Sequence, residues 1–447
     1  MAIIQSAHTS LTAAVAAASR AGVDRGASLQ IPPLPEANAS RECLSRWGER
    51  AGEILCALGG GSATLPTLNL TGTDLTTADL RHILSGILSA LSGPSEDEPR
   101  ELPLAVDIPA ADFSRVLAEE HRLHRAVALA KSLTDARSNQ LTPAMFAERA
   151  SEVAAASGLG FRLTTAPSLR AEGFGGITAI GQGSVNPPVL VELWYAGALP
   201  PADEPPSDAI GLAGKGVTFD AGGLSLKSPA AMYSMHTDCA GAATVLAAMS
   251  VLRDFGAAQP VYAALPLVEN IPGPESIRPG DVVRTRGGVG LEIIDTDFEG
   301  RVVLADAIAR LSEAAPRAVI SIATLTYQIE VALGPEIAGL FARDHTLGRR
   351  LLRSAEQAGE ALWGMPWATR YAPQLRSTAP GATLRNHPLT ETGRAITAAL
   401  FLGEFAPATV PFAHIDFSGP AVRATPNGPL ATGYGVRTLV ELLRQWN

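Results

Sequence analysis

Residues 211–255 read GLAGKGVTFDAGGLSLKSPAAMYSMHTDCAGAATVLAAMSVLRDF. The stretch opens on an apolar strand, Gly211–Phe219, passes through a Gly-rich polar segment and ends in a small-residue helix, Cys239–Phe255. An apolar run punctuated by glycines and followed by a helical pattern is the repeating unit of a sheet covered by helices. The alternation continues on both sides. Val189–Trp194, Val261–Val268, Leu291–Thr296, Ala318–Leu325 and Phe412–Phe417 read as buried strands. Gly300–Ala314, Leu347–Gly359, Ile396–Phe405 and Gly435–Trp446 read as helices between or after them. The expected fold is α/β, with a mixed, mostly parallel sheet covered by helices on both faces.

This larger domain is expected over residues 159–447, behind a connecting helix at 142–158 with Thr142 as N-cap and Pro143 at its first position. Residues 1–141 read as a separate N-terminal α/β domain of unclear role. In it, helical patterns at Arg41–Leu58 and Phe113–Leu133 alternate with apolar runs such as Leu102–Ile108, and Ile31–Pro35 and Ser92–Pro99 read as breaks. The 447 residues are too many for one small domain. A net charge of -9 without a basic tract argues against nucleic acid or an anionic lipid surface as partner. No apolar run reaches the roughly 18 residues of a membrane span, so none is expected. Cys43, Cys56 and Cys239 fit neither a disulfide framework nor a CxxC zinc site, and read as buried thiols in a reducing cytoplasm.

Three polar clusters fall where the strands should end, which is where ligands sit in such sheets. The first, GKGVTFDAGGLSLK (214–227), carries Lys215, Asp220 and Lys227. It lacks the phosphate-loop spacing, and an Asp would repel phosphate. In the second, MHTDCAGAA (235–243), Asp238 stands at a helix entrance, where an N-cap role competes with metal ligation. In the third, DTDFEGR (295–301), Asp295, Asp297 and Glu299 alternate, so an extended chain would point all three carboxylates one way. The group is either a solvated acidic turn or a buried set that needs a cation among its members, Arg301 or a divalent metal; the apolar LEII before it and VVLADAIARL after it favour the buried setting. Carboxylates with a nitrogen ligand suit Zn, Mn, Mg or Co. A lysine ligand would have to be neutral, which burial beside two cations favours.

Taken in order, these clusters resemble the leucyl aminopeptidase (cytosol aminopeptidase) family of metallopeptidases. The likeness covers about residues 130–445. It runs from SNQLTP (138–143) and FGGITAIGQGS (174–184) through the three clusters, VENIPGPESIRPGDVV (268–283) and IATLT (322–326). It ends with GRAITAALFLGEF (393–405), AHIDFSG (413–419) and ATGYGVRTLVELL (431–443). The resemblance implies a metal-dependent aminopeptidase that hydrolyses N-terminal residues through a water activated by two divalent ions, Zn or Mn, with Mg or Co as further options. Lys215, Asp220, Asp238, Asp297 and Glu299 would be the ligands, and Asp220 and Glu299 would touch both ions. Lys227 would polarise the scissile carbonyl, and Arg301 would hold a bicarbonate ion acting as general base. Met235, Thr324, Leu325, Tyr327, Ser418 and Ala421 would line or border the pocket for the first side chain. The substrate would be a peptide or small amide with a free N-terminus, and the assembly a cytoplasmic homohexamer.

The chain also departs from the family pattern. Asp295 stands where an Asn is usual, Phe298 where an Ala is usual, Tyr327 where a small residue is usual, and Arg394 where a Gly is usual. Tyr327 would add volume beside the pocket and Asp295 negative charge near the metals. They motivate an alternative, a specialised amidase or dipeptidase for one metabolite, unless Tyr327 is turned aside. A non-catalytic hexameric scaffold is a third possibility, opposed by the intact Lys227 and Arg301. His414 and Asp416, in a core strand, read as a structural polar pair.

Overall fold

The computed structural model of the chain describes residues 29–30, 44–45, 48–49, 51, 68–69, 76–91, 104–105, 109–198, 203–425 and 428–446. It divides into two compact units, Met1–Arg125 and Ala126–Asn447. In the first, Leu29–Gln30, Leu68–Asn69 and Leu104–Ala105 pair in parallel. The helix Thr77–Leu91 buries Leu80, Ile83, Leu84 and Ile87, the three-to-four spacing of one helical face. The expected helix Phe113–Leu133 lies inside a longer one, Ala110–Asp135. Of Arg41–Leu58, only residues 44–45, 48–49 and 51 are described, all helical. Ile31–Pro35, Ser92–Pro99, Cys43 and Cys56 lie outside the described residues.

The second unit is built on a nine-stranded sheet. Its order is Leu362–Met365, Ala338–Ala342, Phe412–Asp416, Ala318–Ala323, Ile210–Gly214, Val261–Asn270, Val189–Tyr195 and Gly160–Thr165, with Gly216–Asp220 also paired to Val261–Asn270. The strands from Phe412–Asp416 to Val261–Asn270 run parallel, while Val189–Tyr195 and Gly160–Thr165 add in antiparallel sense. The sheet is therefore mixed and mostly parallel. Its central strands are buried end to end because helices cover both faces. Gly175–Gly181, Glu299–Ser312 and Arg394–Gly403 pack as one group, and Pro143–Ser157, Ala240–Ser250, His345–Ala358 and Val436–Arg444 as another. Thr142 caps Pro143–Ser157, its side chain accepting from Met145 N at 3.4 Å. No helix among the described residues is long and apolar enough to cross a membrane.

Three expectations need correction. Gly211–Phe219 is not one strand. It breaks at Lys215 into two that pair with successive parts of Val261–Asn270, and a bulge between Val217 and Phe219 shifts the register of the second. Leu291–Thr296 is a strand only over Gly290–Glu292, and it belongs to a separate three-stranded sheet. His414 and Asp416 do not pair with each other. Two residues apart on one strand, they share a face but stand about 7 Å apart. His414 meets Ser321 Oγ at 2.9 Å, while Asp416 accepts from Thr326 Oγ1 at 2.6 Å and Ser418 Oγ at 2.8 Å.

Buried carboxylates from distant chain segments cap two of the helices. Asp306 accepts from Ile177 N at 2.9 Å and Arg286 N at 2.7 Å, so it closes the first turn of Gly175–Gly181, whose N-cap residue Phe174 has no capping side chain. The approach requires a glycine at 176, since a Cβ there would lie 2.6 Å from Val302 O and 3.1 Å from Asp306 Oδ2. Glu360 does the same for Val436–Arg444, accepting from Gly435 N at 2.9 Å and Thr438 N at 3.0 Å. Burial pushes the Asp306 carboxyl up to about 7, against the pull of the backbone N–H groups. A folded value above the unfolded one of about 3.9 means that its contribution to stability falls as pH rises through 7. Asp306→Asn should therefore cost about 1–3 kcal/mol in urea denaturation at pH 5 by facing a donor with donors. The gap between variant and wild type should narrow by pH 8.

Candidate metal centre

The break at Lys215 and the bulge after it set up the site. Strict alternation would put residues 215 and 220 on opposite faces of a strand, and one extra residue at the bulge resets the parity. Lys215 Nζ lies 2.7 Å from Asp238 Oδ2 and 2.7 Å from Glu299 Oε1, and donates to Thr324 O at 3.1 Å. Glu299 opens the helix Glu299–Ser312, and Gly300 lets that helix close on the lysine. A Cβ at 300 would sit 2.6 Å from Lys215 Cε and 2.7 Å from its Nζ. Lys227 Nζ completes the group, 2.9 Å from Asp220 Oδ2 and 2.5 Å from Asp297 Oδ1. The structure thus brings Lys215, Asp220, Asp238, Asp297, Glu299 and Lys227 into one cluster.

Asp295 stands apart from it. The chain turns at Thr296–Asp297 instead of staying extended, because Asp295 Oδ1 accepts from Asp297 N at 2.9 Å. Only Asp297 and Glu299 of the alternating trio turn inward. With Asp220 they can each offer an oxygen within 4.8 Å of the others. Asp238 does not cap the helix that follows. It lies in the 3-10 turn Met235–Cys239, and its Oδ1 accepts from Thr324 Oγ1 at 2.8 Å. Cys239 faces the carbonyls of Leu133 and His236, with burial pushing its thiol up to about 12.

Four carboxylates face two ammonium groups here, and the electrostatics register the shortage of positive charge. Burial pushes Asp238 up to about 8, with Glu299 and Asp220 adding to the rise and Lys215 opposing it. Burial, then Glu299 and Asp220, push Asp297 up to about 7. For both lysines, burial favours the neutral form, but the surrounding carboxylates outweigh it and hold them charged above the usual lysine range. Asp238 Oδ2 and Asp297 Oδ1 are buried and accept no hydrogen bond of ordinary geometry, although each has a lysine within ion-pair range. Orphaned oxygens in an over-negative, buried oxygen-rich cluster fit divalent cations.

The surroundings contain residues that the sequence did not single out. Asn270 fixes Asp220, donating to its Oδ1 at 2.8 Å and to Thr296 O at 2.9 Å. Asn386 Oδ1 accepts from Ile294 N at 2.8 Å, and its carbonyl accepts from Arg301 Nη1 at 3.0 Å. Arg301 is 2% exposed, and burial pushes it down to about 10. Asn270 lies within a quoted motif and was within reach of the sequence. Nothing local marks Asn386, whose partners are about ninety residues away in the chain.

Among the expected pocket residues, Thr324, Leu325 and Ser418 meet at the carboxyl ends of two paired strands. Asp416 gathers the last two, accepting from Leu325 N at 3.3 Å and Ser418 Oγ at 2.8 Å, and Ser418 Oγ accepts from Thr326 N at 3.2 Å. Met235 lies in the turn that carries Asp238, and Ala421 is buried. Tyr327 opens the helix Tyr327–Leu333 and is 70% exposed, so most of its ring lies in solvent.

Comparison with known proteins identifies the family. Residues 128–440 match the cytosol aminopeptidase family, catalytic domain. A probable cytosol aminopeptidase of Roseiflexus castenholzii is 41% identical over 365 residues, covering 80% of this chain and 72% of the relative. One from Syntrophotalea carbinolica is 38% identical over 392 residues, covering 84% and 76%. Among solved structures, the bottromycin maturation enzyme BotP in complex with Mn superposes with a TM-score of 0.80 at 35% identity. The match covers 92% of this chain and 88% of that one. The fold is α/β, and the matched family is one of hydrolases. The chain belongs to the cytosol aminopeptidase family.

Gly300→Ala tests the geometry directly. The added methyl should displace the Lys215 ammonium, leaving the fold intact by circular dichroism but lowering Mn affinity by roughly tenfold or more in equilibrium dialysis. Unchanged affinity would show that Lys215 need not sit where it does.

Proposed function

We propose that the protein is a metal-dependent aminopeptidase that removes the first residue from peptides with a free N-terminus. The observation that carries this reading is the buried cluster of four carboxylates and Lys215, with two orphaned oxygens and Lys227 reaching in beside them. Lys215, Asp220, Asp238, Asp297 and Glu299 would hold two divalent ions, Zn or Mn, with Mg or Co as further options. When bound, such a pair supplies Lewis acidity and a water of lowered pKa. Arg301 would hold a bicarbonate ion, whose chemistry beside the centre is that of a general base. The names of the two relatives support the reaction class.

The chain's own side chains account for binding and charge stabilisation. Lys227, kept charged by Asp220, Glu299 and Asp297, donates to the scissile carbonyl oxygen and stabilises the charge developing on it. Asn270 and Thr324 fix Asp220 and Asp238, so the cluster needs little reorganisation. Met235, Thr324, Leu325, Ser418 and Ala421 would line the pocket for the substrate's first side chain, with Tyr327 at its border. The same family membership supports a cytoplasmic homohexamer.

A narrower reading has one observation in its favour: the solved structure reported above is that of a bottromycin maturation enzyme. In that reading the enzyme acts on one peptide or amide, with Tyr327 and Asp295 restricting entry. Both readings are tested by following amino-acid release from unblocked and N-acetylated dipeptides, using metal-stripped protein reconstituted with Mn or Zn. Release from unblocked peptides alone is expected, abolished by chelation and reduced about 100- to 1,000-fold in Lys227→Ala. Absence of release from every peptide, with metal bound, would overturn the general aminopeptidase and leave the narrow enzyme or a scaffold.

A further inference from the structure

The ring of Phe298 lies among three groups. Arg301 is 4.5 Å from its centroid to the guanidinium carbon, Arg394 is 5.4 Å away, and the His387 ring is 4.5 Å away at 57°. None of these contacts is accidental to the backbone. Phe298 is the N-cap residue of Glu299–Ser312, so Phe298 and Arg301 stand three apart at the helix start and share a face. Arg394 is held in turn, donating through Nε to Thr390 O at 3.0 Å, pairing with Glu391 at 2.7 Å and meeting His387 Nε2 at 3.1 Å. Asn386 closes the circuit. It binds the backbone of residues 294 and 295 through its side chain and Arg301 Nη1 through its carbonyl.

Arg301 itself is incompletely satisfied. Among the described residues, its buried Nε has no hydrogen-bond partner, and its one hydrogen bond to protein is that from Nη1 to Asn386 O. One hydrogen bond does not fix the plane of a guanidinium, since the group can still rotate about that bond. A flat aromatic face within contact distance does fix it, because the cation is drawn to the ring face and the two planes settle against each other.

We propose that Phe298, backed by Arg394 and His387, is the positioning element that sets the plane of the Arg301 guanidinium and keeps its Nε free for an incoming acceptor. This inference rests on the reading of Arg301 as part of the working site. Phe298 and Arg394 are positioning residues and touch no reacting atom. The segment Asn386–Arg394 acts as a brace, tied at one end to residues 294 and 295 and at the other to the ring.

The test compares Phe298→Leu, which keeps apolar bulk and loses the ring face, with Phe298→Tyr, which keeps the face. Two measurements are made. In metal-free protein, mass spectrometry follows the rate at which phenylglyoxal labels Arg301. In Mn-reconstituted protein, kcat and KM are followed on the best peptide. In Phe298→Leu, labelling should quicken severalfold and kcat fall about tenfold, with KM within about twofold and metal content unchanged. Phe298→Tyr should restore both. Wild-type labelling and wild-type kcat in Phe298→Leu would overturn the proposal. Should Phe298→Leu not fold, Arg394→Met carries the test. Faster Arg301 labelling with lower kcat supports the brace, and neither change in the folded variant overturns it. The labelling arm needs no turnover, so a protein without peptidase activity would sink the functional reading while this inference is still decided.

Discussion

The structure depends on a deficit of buried positive charge at the carboxyl end of a parallel sheet. Asp220, Asp238, Asp297 and Glu299 converge on Lys215 and Lys227, and the lysines leave two carboxylate oxygens without a hydrogen bond. A cluster of this kind is costly unless further cations enter it. The cost is borne by a scaffold in which the supporting strands are buried on both faces. Stability in the sheet and shortage of charge at its end are two sides of one arrangement.

Polar clamps that reach across long stretches of chain recur throughout the larger unit. Asp306 and Glu360 cap helices that have no capping residue of their own. Asp416 gathers the loop after one strand onto the end of its neighbour, and Asn386 ties residues 294 and 295 to Arg301. Each replaces a local turn signal with a long-range hydrogen bond. The loops around the carboxylate cluster thereby hold irregular shapes with backbone N–H groups paired to side chains, as at Leu325 and Ile294.

This pattern explains what could be read in the sequence. Strands such as Val261–Asn270 were legible because burial on both faces leaves a continuous apolar run. The carboxylates of residues 295–299 were legible as a group, but the turn at Thr296–Asp297 that excludes Asp295 was not, since it rests on one local side-chain bond. The break at Lys215 was hidden because it is a matter of register against a neighbouring strand. Phe298 looked like a departure from the family pattern. Its partners Arg394 and His387 could be found only once the chain had folded. The order of the clusters came from family resemblance, and no spacing rule would have supplied it.

Val261–Asn270 pairs with three other strands, and its last residue holds Asp220. Over Val261–Ala264 it is bonded on both edges, and a segment held in this way opens only when its neighbours have already let go. The strand that carries Asn270 to the carboxylate cluster is thus rooted in a stretch of sheet whose amide protons should exchange slowly.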